Sequence, residues 1–298
     1  MKSIAVLMST YNGERFLREQ IDSVLTQKNV DVHLFVRDDG SSDETLNILN
    51  EYSEKKMLEW YSDVNMGPAK SFLKLLYNIG NYDFFAFCDQ DDVWLPTKLY
   101  EAIETINNEN SPALYCSDTM LVDANLTPIR KANLTAKGNF FESLVSNPVT
   151  GCTMVINKKL RDLVVKYKPS VIDMHDWWIY RVCMAVDGYF YFDKTPHILY
   201  RQHDNNVVGG ISSKKKKYKK RIQSLFDNNG GIRYHMAEML YRGYAEYLKI
   251  ENKEILEKFV CYRNSLAARF RLAQYVKTQP VSRHFRNKLI AAILSGKF

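Results

Sequence analysis

Phe84-Phe85-Ala86-Phe87-Cys88 runs without a break into Asp89-Gln90-Asp91-Asp92. The apolar stretch reads as a short buried strand, and the acidic run marks its carboxyl end. Three carboxylates within four residues repel one another unless a cation or a proton neutralises them. A divalent metal is the simplest remedy. Oxygen ligands favour Mg²⁺ or Mn²⁺, which keep several waters and recruit further ligands from a diphosphate. The competing reading is a solvated turn capping the helix that starts near Pro96.

On either side of this stretch, short β-rich runs alternate with helical patterns, the sequence form of an α/β fold with a mostly parallel sheet flanked by helices. Strands are expected near Ile4–Met8, His33–Arg37, Leu58–Tyr61 and Ala113–Ser117. Helices are expected over Glu14–Gln27, Asp43–Glu54, Pro68–Ile79 and Pro96–Asn107, with Ser41-Ser42-Asp43-Glu44 as capping groups and Pro68 and Pro96 in first turns. From Ala124 to Asn147 the pattern loosens. Gly151–Asn157 then reads as a strand followed by a helix through Lys166, with a further helix at His175–Ala185 and strands at Tyr189–Asp193 and His197–Arg201. Asn205–Gly210 reads as a linker, and basic, Tyr-rich helices follow it.

The net charge of +7 conceals an asymmetry. Residues 206–298 hold 20 Lys+Arg against 6 Asp+Glu, whereas residues 1–205 hold 21 against 28. The organisation expected is therefore a catalytic part over 1–206 and a basic helical region over 207–298. The five cysteines are scattered and odd in number, which predicts reduced thiols in a cytosolic protein. The apolar run at the N-terminus is too short for a signal peptide, and no stretch approaches the roughly 18 apolar residues of a membrane span.

In open α/β sheets, ligands bind beyond the carboxyl ends of the strands. Two more such ends are polar: Ser9-Thr10-Tyr11-Asn12-Gly13 and Asp38-Asp39-Gly40-Ser41-Ser42-Asp43. An Asp there accepts hydrogen bonds from a ribose or a base, or else closes an Asx turn. The first turn lacks G-x-G-x-x-G, which disfavours a dinucleotide site. His175-Asp176-Trp177-Trp178 sets a His–carboxylate pair beside two large aromatics, either a base with sugar-stacking walls or a helix cap with core tryptophans. In Tyr200-Arg201-Gln202-His203, Arg201 offers charge to a phosphate and His203 a metal ligand.

Together these segments, with Thr150-Gly151-Cys152, resemble the family-2 glycosyltransferases of the GT-A fold, and among them bacterial rhamnosyltransferases of cell-wall and capsular polysaccharide assembly. The likeness spans about residues 1–206. It implies that Thr10, Tyr11, Asn12, Asp39, Asp89, Gln90 and Arg201 serve the nucleotide-sugar donor. It further implies that Asp91 and His203 hold Mn²⁺ or Mg²⁺, and that Asp176 is the catalytic base. Gly151, Cys152, His175, Trp177 and Trp178 are implied to line the sugar and acceptor pocket, although the family more often has an acidic residue at the place of His175. The implied reaction is inverting transfer of L-rhamnose from dTDP-rhamnose to a lipid-linked saccharide. UDP-galactose, UDP-glucose and UDP-galactofuranose are alternative donors.

Seven positive charges in the eight residues Lys214–Arg221 suggest an anionic membrane surface as partner, each worth on the order of 1 kcal/mol near such a surface. Phe259–Tyr275 and Phe285–Phe298 mix apolar and basic residues as interfacial helices do. A peripheral enzyme at the inner face of the cell membrane is expected, with a solvated basic helical appendage or a homo-oligomerisation element as the rival readings of the tail. A nucleic-acid partner is disfavoured because the acidic half would repel phosphate. A non-catalytic, nucleotide-sugar-binding partner subunit would leave Asp176 without a purpose.

Overall fold

A computed structural model describes residues 1–203 and 231–298; the expected linker and the Lys214–Arg221 run lie outside them. A seven-stranded sheet forms the centre. In chain order its strands are β1 (Ser3–Thr10), β2 (Asp31–Asp38), β3 (Glu59–Ser62), β4 (Phe84–Cys88), β6 (Ala113–Ser117), β9 (Val155–Asn157) and β10 (Tyr189–Asp193). A smaller sheet contains β5 (Val93–Trp94), β7 (Met120–Val122), β8 (Pro128–Lys131) and β11 (Ile198–Arg201). The spatial order of the large sheet is β10-β6-β9-β4-β1-β2-β3, and every pairing is parallel except those of β9.

The helices are α1 (Leu17–Leu25), α2 (Thr45–Glu54), α3 (Pro68–Asn78), α4 (Lys98–Ile106), α5 (Phe140–Val145), α6 (Lys158–Val164) and α7 (His175–Ala185). The C-terminal region adds α8 (Ile232–Tyr244), α9 (Ile250–Cys261), α10 (Leu266–Thr278) and α11 (Arg283–Leu294). Successive side chains of a strand point to opposite faces, so β1 feeds two cores. Ile4, Val6 and Met8 pack with Ile21 of α1, Leu49 of α2 and Ile103 of α4. Ala5 and Leu7 pack on the other side with Phe72 of α3 and Trp178 of α7.

All eleven residues of α7 are buried. A helix apolar nearly all round needs cover on both sides. The sheet and α3 supply one side, and α8 supplies the other, with Tyr244 packed against Trp178 at a ring separation of 6.0 Å. Met236, Leu240, Phe259, Leu272, Leu289 and Ile293 from α8 to α11 belong to the same apolar cluster. Truncating a buried aromatic such as Trp178 to Ala costs ~3–5 kcal/mol.

The structure departs from the expected elements in identifiable places. Gly151–Thr153 is a 3₁₀ turn rather than the start of a strand, because strand pairing begins only at Val155. Helix α4 starts at Lys98, two residues beyond Pro96. Asp43 caps locally, its Oδ1 accepting the Thr45 N–H at 3.0 Å. The loosely patterned 124–147 region holds β8 and α5; all four β8 residues are exposed, so no apolar alternation announces that strand. Phe259, Tyr262, Leu272, Val276, Leu289, Ile293 and Phe298 point into the core, while Leu266 and Phe270 of α10 stay exposed. Among the described residues, no helix is long and apolar enough to cross a membrane.

Candidate active site

The chain runs β1-β2-β3 to one side and then returns to place β4 on the other side of β1. This reversal makes the carboxyl ends of β1 and β4 a switch point, where the loops diverge and leave a crevice. Register pairs Thr10 with Asp38 and Met8 with Cys88, so the three polar strand ends lie side by side.

These loops interlock. Gln90 grips the backbone of Tyr11 with both amide atoms: Oε1 accepts from Tyr11 N at 2.8 Å and Nε2 donates to Tyr11 O at 3.1 Å. Gly13 permits that contact, since a Cβ there would lie 2.3 Å from Gln90 Oε1. Asn12, in a left-handed conformation, accepts from Ser42 N and donates its own N–H to Ser41 Oγ. Asn12 and Gln90 thus brace the crevice, while the Tyr11 side chain stands exposed at its rim.

Asp38 closes the turn at the end of β2 and is a hub. It accepts from Thr10 Oγ1, Gly40 N, both donors of Ser41, and Ser62 Oγ. Its neighbour Asp39 is almost fully buried, ion-paired to Arg37, and accepts from Met66 N and Gly67 N at 2.9 and 2.8 Å. Arg37 is itself inaccessible and also holds Ser71 Oγ and Val64 O. The loop that would meet a nucleoside is therefore set in place by buried, charge-assisted bonds.

The second sheet returns the chain to the acidic run. Strand β11 pairs with β5, and just beyond it His203 Nε2 lies 2.8 Å from Asp91 Oδ2, although the two are 112 residues apart. Both side chains keep some exposure, 14% for His203 and 20% for Asp91. Arg201 has a supporting place: it is 1% exposed, with Nε donating to Asp91 O at 2.9 Å and other guanidinium nitrogens reaching Ala124 O and Glu19. Its backbone N–H donates to Asp92 Oδ1 at 3.0 Å. The sequence suggested a phosphate partner for Arg201; in the structure it is buried and props the acidic turn.

Asp89, Asp92 and Cys152 also bring ligand atoms within 4.8 Å of one another. They suit a hard cation poorly. Burial raises the Cys152 thiol well above its usual range, and Asp92 is enclosed and already accepts from Arg201. The donor set that fits Mg²⁺ or Mn²⁺ is Asp91 and His203 with Asp89 beside them. Burial, then the charges of Asp91 and Asp176, pushes the Asp89 carboxyl up to about 7. Burial, then the charges of Asp91 and Asp89, raise Asp92 as well. Beneath this run lies a residue that sequence reading missed: Lys98, fully buried, its Nζ 3.5 Å from the Trp94 ring centroid and bonded to no polar group. Burial lowers its pKa to about 8, yet any charge it carries offsets Asp92. Its signal was a Lys four residues after Trp94 at a helix start.

Asp176 is the second residue of α7, where the helix dipole favours an anion. Its Oδ1 accepts from Trp177 N at 2.6 Å and from Asn147 Nδ2 at 3.1 Å; Asn147 is a further partner not picked from sequence. Burial raises its pKa to about 6 against the lowering effect of those bonds. His175 lies between Phe72 and Phe87, with ring centroids 4.2 and 5.3 Å away, and burial lowers its pKa to about 3. A neutral ring here adds no second negative charge beside Asp176. Gly151 must be glycine, because a Cβ would lie 2.8 Å from His175 Nε2. The tryptophans sit in the core: Trp178 is fully enclosed beside Tyr167 and Tyr244, and Trp177 donates Nε1–H to Ser143 O at 2.7 Å.

A crevice at the strand ends where the Asp91–His203 pair meets buried carboxylates suits a nucleotide-sugar transferase. Residues 5–184 match the glycosyl transferase family 2 pattern, and the chain belongs to that family. It is 36% identical over 234 residues to the dTDP-rhamnosyl transferase RfbG of Shigella flexneri, covering 72% of this chain and 77% of that one. It is 28% identical over 156 residues to the putative teichuronic acid biosynthesis glycosyltransferase TuaG of Bacillus subtilis, covering 51% and 61%. S. aureus TarS 1–349 in complex with UDP-GlcNAc shares the fold with a TM-score of 0.58 at 16% identity, covering 100% of this chain and 90% of that one. The Pyrobaculum calidifontis mannosyltransferase PcManGT, in complex with GDP-Man and Mn²⁺, does so with 0.52 at 14%, covering 98% and 85%. The architecture is the GT-A fold.

Proposed function

We propose that this glycosyltransferase moves L-rhamnose from dTDP-rhamnose to a hydroxyl of a lipid-linked saccharide in bacterial cell-surface polysaccharide synthesis. The observation that carries the chemistry is the meeting at one sheet edge of the Asp91–His203 pair with Asp176, whose charge is felt at Asp89. The likeness to a dTDP-rhamnosyl transferase supports the donor, and that to TuaG the polysaccharide setting.

In the reaction, Asp176 accepts the proton of the acceptor hydroxyl while that oxygen bonds to the anomeric carbon. The bond to the diphosphate oxygen breaks in line, its electron pair leaves with dTDP, and the anomeric configuration inverts. Mg²⁺ or Mn²⁺ held by Asp91 and His203 would offset the charge of the departing diphosphate. Asp39 and Thr10 shape the nucleoside end, and Gly151 and His175 the floor under the sugar.

On this reading residues 1–206 are catalytic, and residues 207–298 bring the enzyme to anionic lipid at the inner membrane face. The tail's 20 Lys+Arg against 6 Asp+Glu support that, as do Leu266 and Phe270, 68% and 57% exposed on α10. The test of the donor is a panel of UDP-, GDP- and dTDP-sugars assayed for Mn²⁺-dependent hydrolysis and thermal stabilisation. Preference for dTDP-rhamnose is expected; preference for UDP-galactose, UDP-glucose or UDP-galactofuranose would overturn the rhamnose assignment and leave the transferase class standing.

A further inference from the structure

A cavity of about 360 Å³ opens between the loop leading into α5 and the turn joining α10 to α11, and Thr135, Glu142, Ser146, Ser282 and Phe285 line it. Its size falls within the ~300–1,000 Å³ of small-molecule sites. A smaller cavity of about 160 Å³, lined by Lys2, Asp83 and Asn107, opens at the opposite, amino-terminal edge of the sheet, away from the chemistry.

The first cavity carries the groups that recognise a sugar. Glu142 is fixed: its Oε2 accepts from Tyr180 OH at 2.9 Å and from Lys137 N at 2.8 Å, while Oε1 bonds no protein group among the described residues. A carboxylate held this way accepts hydrogen bonds from hydroxyls. Phe285 is half-buried and offers an apolar ring face, as sugar sites do. Lys137, also in the lining, donates from Nζ to Pro280 O and keeps its positive charge, since a carbonyl does not neutralise an ammonium. With one carboxylate and one ammonium in its lining, the cavity has no net charge and suits a neutral saccharide better than a charged one.

The wall of this cavity is also tied to the catalytic base. Ser146 directly precedes Asn147, whose Nδ2 donates to Asp176 Oδ1 at 3.1 Å, and consecutive Cα atoms are only ~3.8 Å apart. Trp177 Nε1 and Arg181 Nε both donate to Ser143 O, at 2.7 and 3.0 Å, and so join α5 to α7. A ligand seated against α5 is thereby held in register with Asp176.

We propose that this cavity is a second acceptor subsite, holding the neutral sugar next to the one that bears the attacked hydroxyl. The assignment rests on the transferase reading above. Ser282 and Phe285 lie beyond the family-matched residues 5–184, so acceptor choice is set partly by the tail.

The test is saturation-transfer NMR with neutral disaccharide methyl glycosides of rhamnose, galactose, glucose and N-acetylglucosamine. At least one is expected to bind the full chain at millimolar concentration. Thr135→Trp, at an exposed position, fills the cavity and should weaken that binding about tenfold or more, or ~1.4 kcal/mol, while dTDP binding with Mn²⁺ is unchanged. Phe285→Ala, checked for folding by thermal melting, should weaken it in the same direction and carries the test if the Trp variant misfolds. Absence of binding by every disaccharide, or binding unaffected by these variants, overturns the subsite. Disaccharide binding without any donor hydrolysis would instead overturn the transferase reading and leave a saccharide site.

Discussion

Replacing Asp176 by Asn should make the protein more stable and less active, with a pH dependence that follows from burial. Asp176 is 5% exposed, and its pKa is raised from 3.8 to about 6. A carboxyl whose folded pKa exceeds its unfolded value withdraws stability as pH rises through that interval. The penalty is ~1.6 kcal/mol at pH 5 and reaches a plateau of at most ~3 kcal/mol at pH 7 and above, from linkage over about two pK units. Asn keeps an oxygen for the Trp177 N–H and Asn147 Nδ2 bonds, so the variant should recover most of this. At roughly 2 °C per kcal/mol for a chain of this size, the melting temperature should rise ~6 °C at pH 8 and about half as much at pH 5. Turnover should fall by roughly 10²–10⁴-fold, the usual loss for a general base, with donor affinity retained. In the wild type, single-turnover transfer should decline below pH about 6 as Asp176 is protonated. A stability gain independent of pH, or turnover within a few fold of wild type, would refute the assignment.

Three further outcomes are expected. Chelation should abolish transfer and Mn²⁺ or Mg²⁺ restore it, while His203→Ala raises the metal concentration for half-activation by at least the ~10–100-fold that loss of even indirect ligand support costs. Arg201→Met leaves the acceptors Asp91 O and Ala124 O unpaired while the exposed Glu19 regains water, so stability in denaturant should fall by ~1–3 kcal/mol and metal affinity should drop with it. Flotation with anionic vesicles should depend on salt and weaken when Lys214–Lys217 become Ser or Phe270 becomes Ser; binding insensitive to salt contradicts an electrostatic anchor. Removing the whole tail is no clean test, because α8 to α11 complete the core around α7.

The sequence displayed the central strands because each is buried on both faces and so reads as an unbroken apolar run. Phe84–Cys88 and Ala113–Ser117 keep the same limits in sequence and structure. Strand β8 was invisible for the converse reason: exposed and polar, it exists through pairing with β7 and an Asx turn at Asp123. Among site residues, a local acidic run announced Asp89 and Asp91, whereas no local pattern tells that His203 lies 2.8 Å from Asp91. Residue type misled at Arg201, Trp177 and Trp178, where a cation and two aromatics suggested ligand contacts and the fold uses them as internal struts. Lys98 and Asn147 went unremarked because each acts through a tertiary partner.

The tail is bound to catalysis by the burial of α7. A helix with polar residues at its first turn and apolar residues all round cannot hold its position on a sheet alone, since its outer face would stay wet. Helix α8 covers that face through Met236, Leu240 and Tyr244. Arg233 of the same helix lies 5.7 Å from the Trp177 ring, one residue along from the base, and donates to Val145 O beside the α5 wall. A displacement of α8 would therefore shift Asp176 and the α5 cavity together.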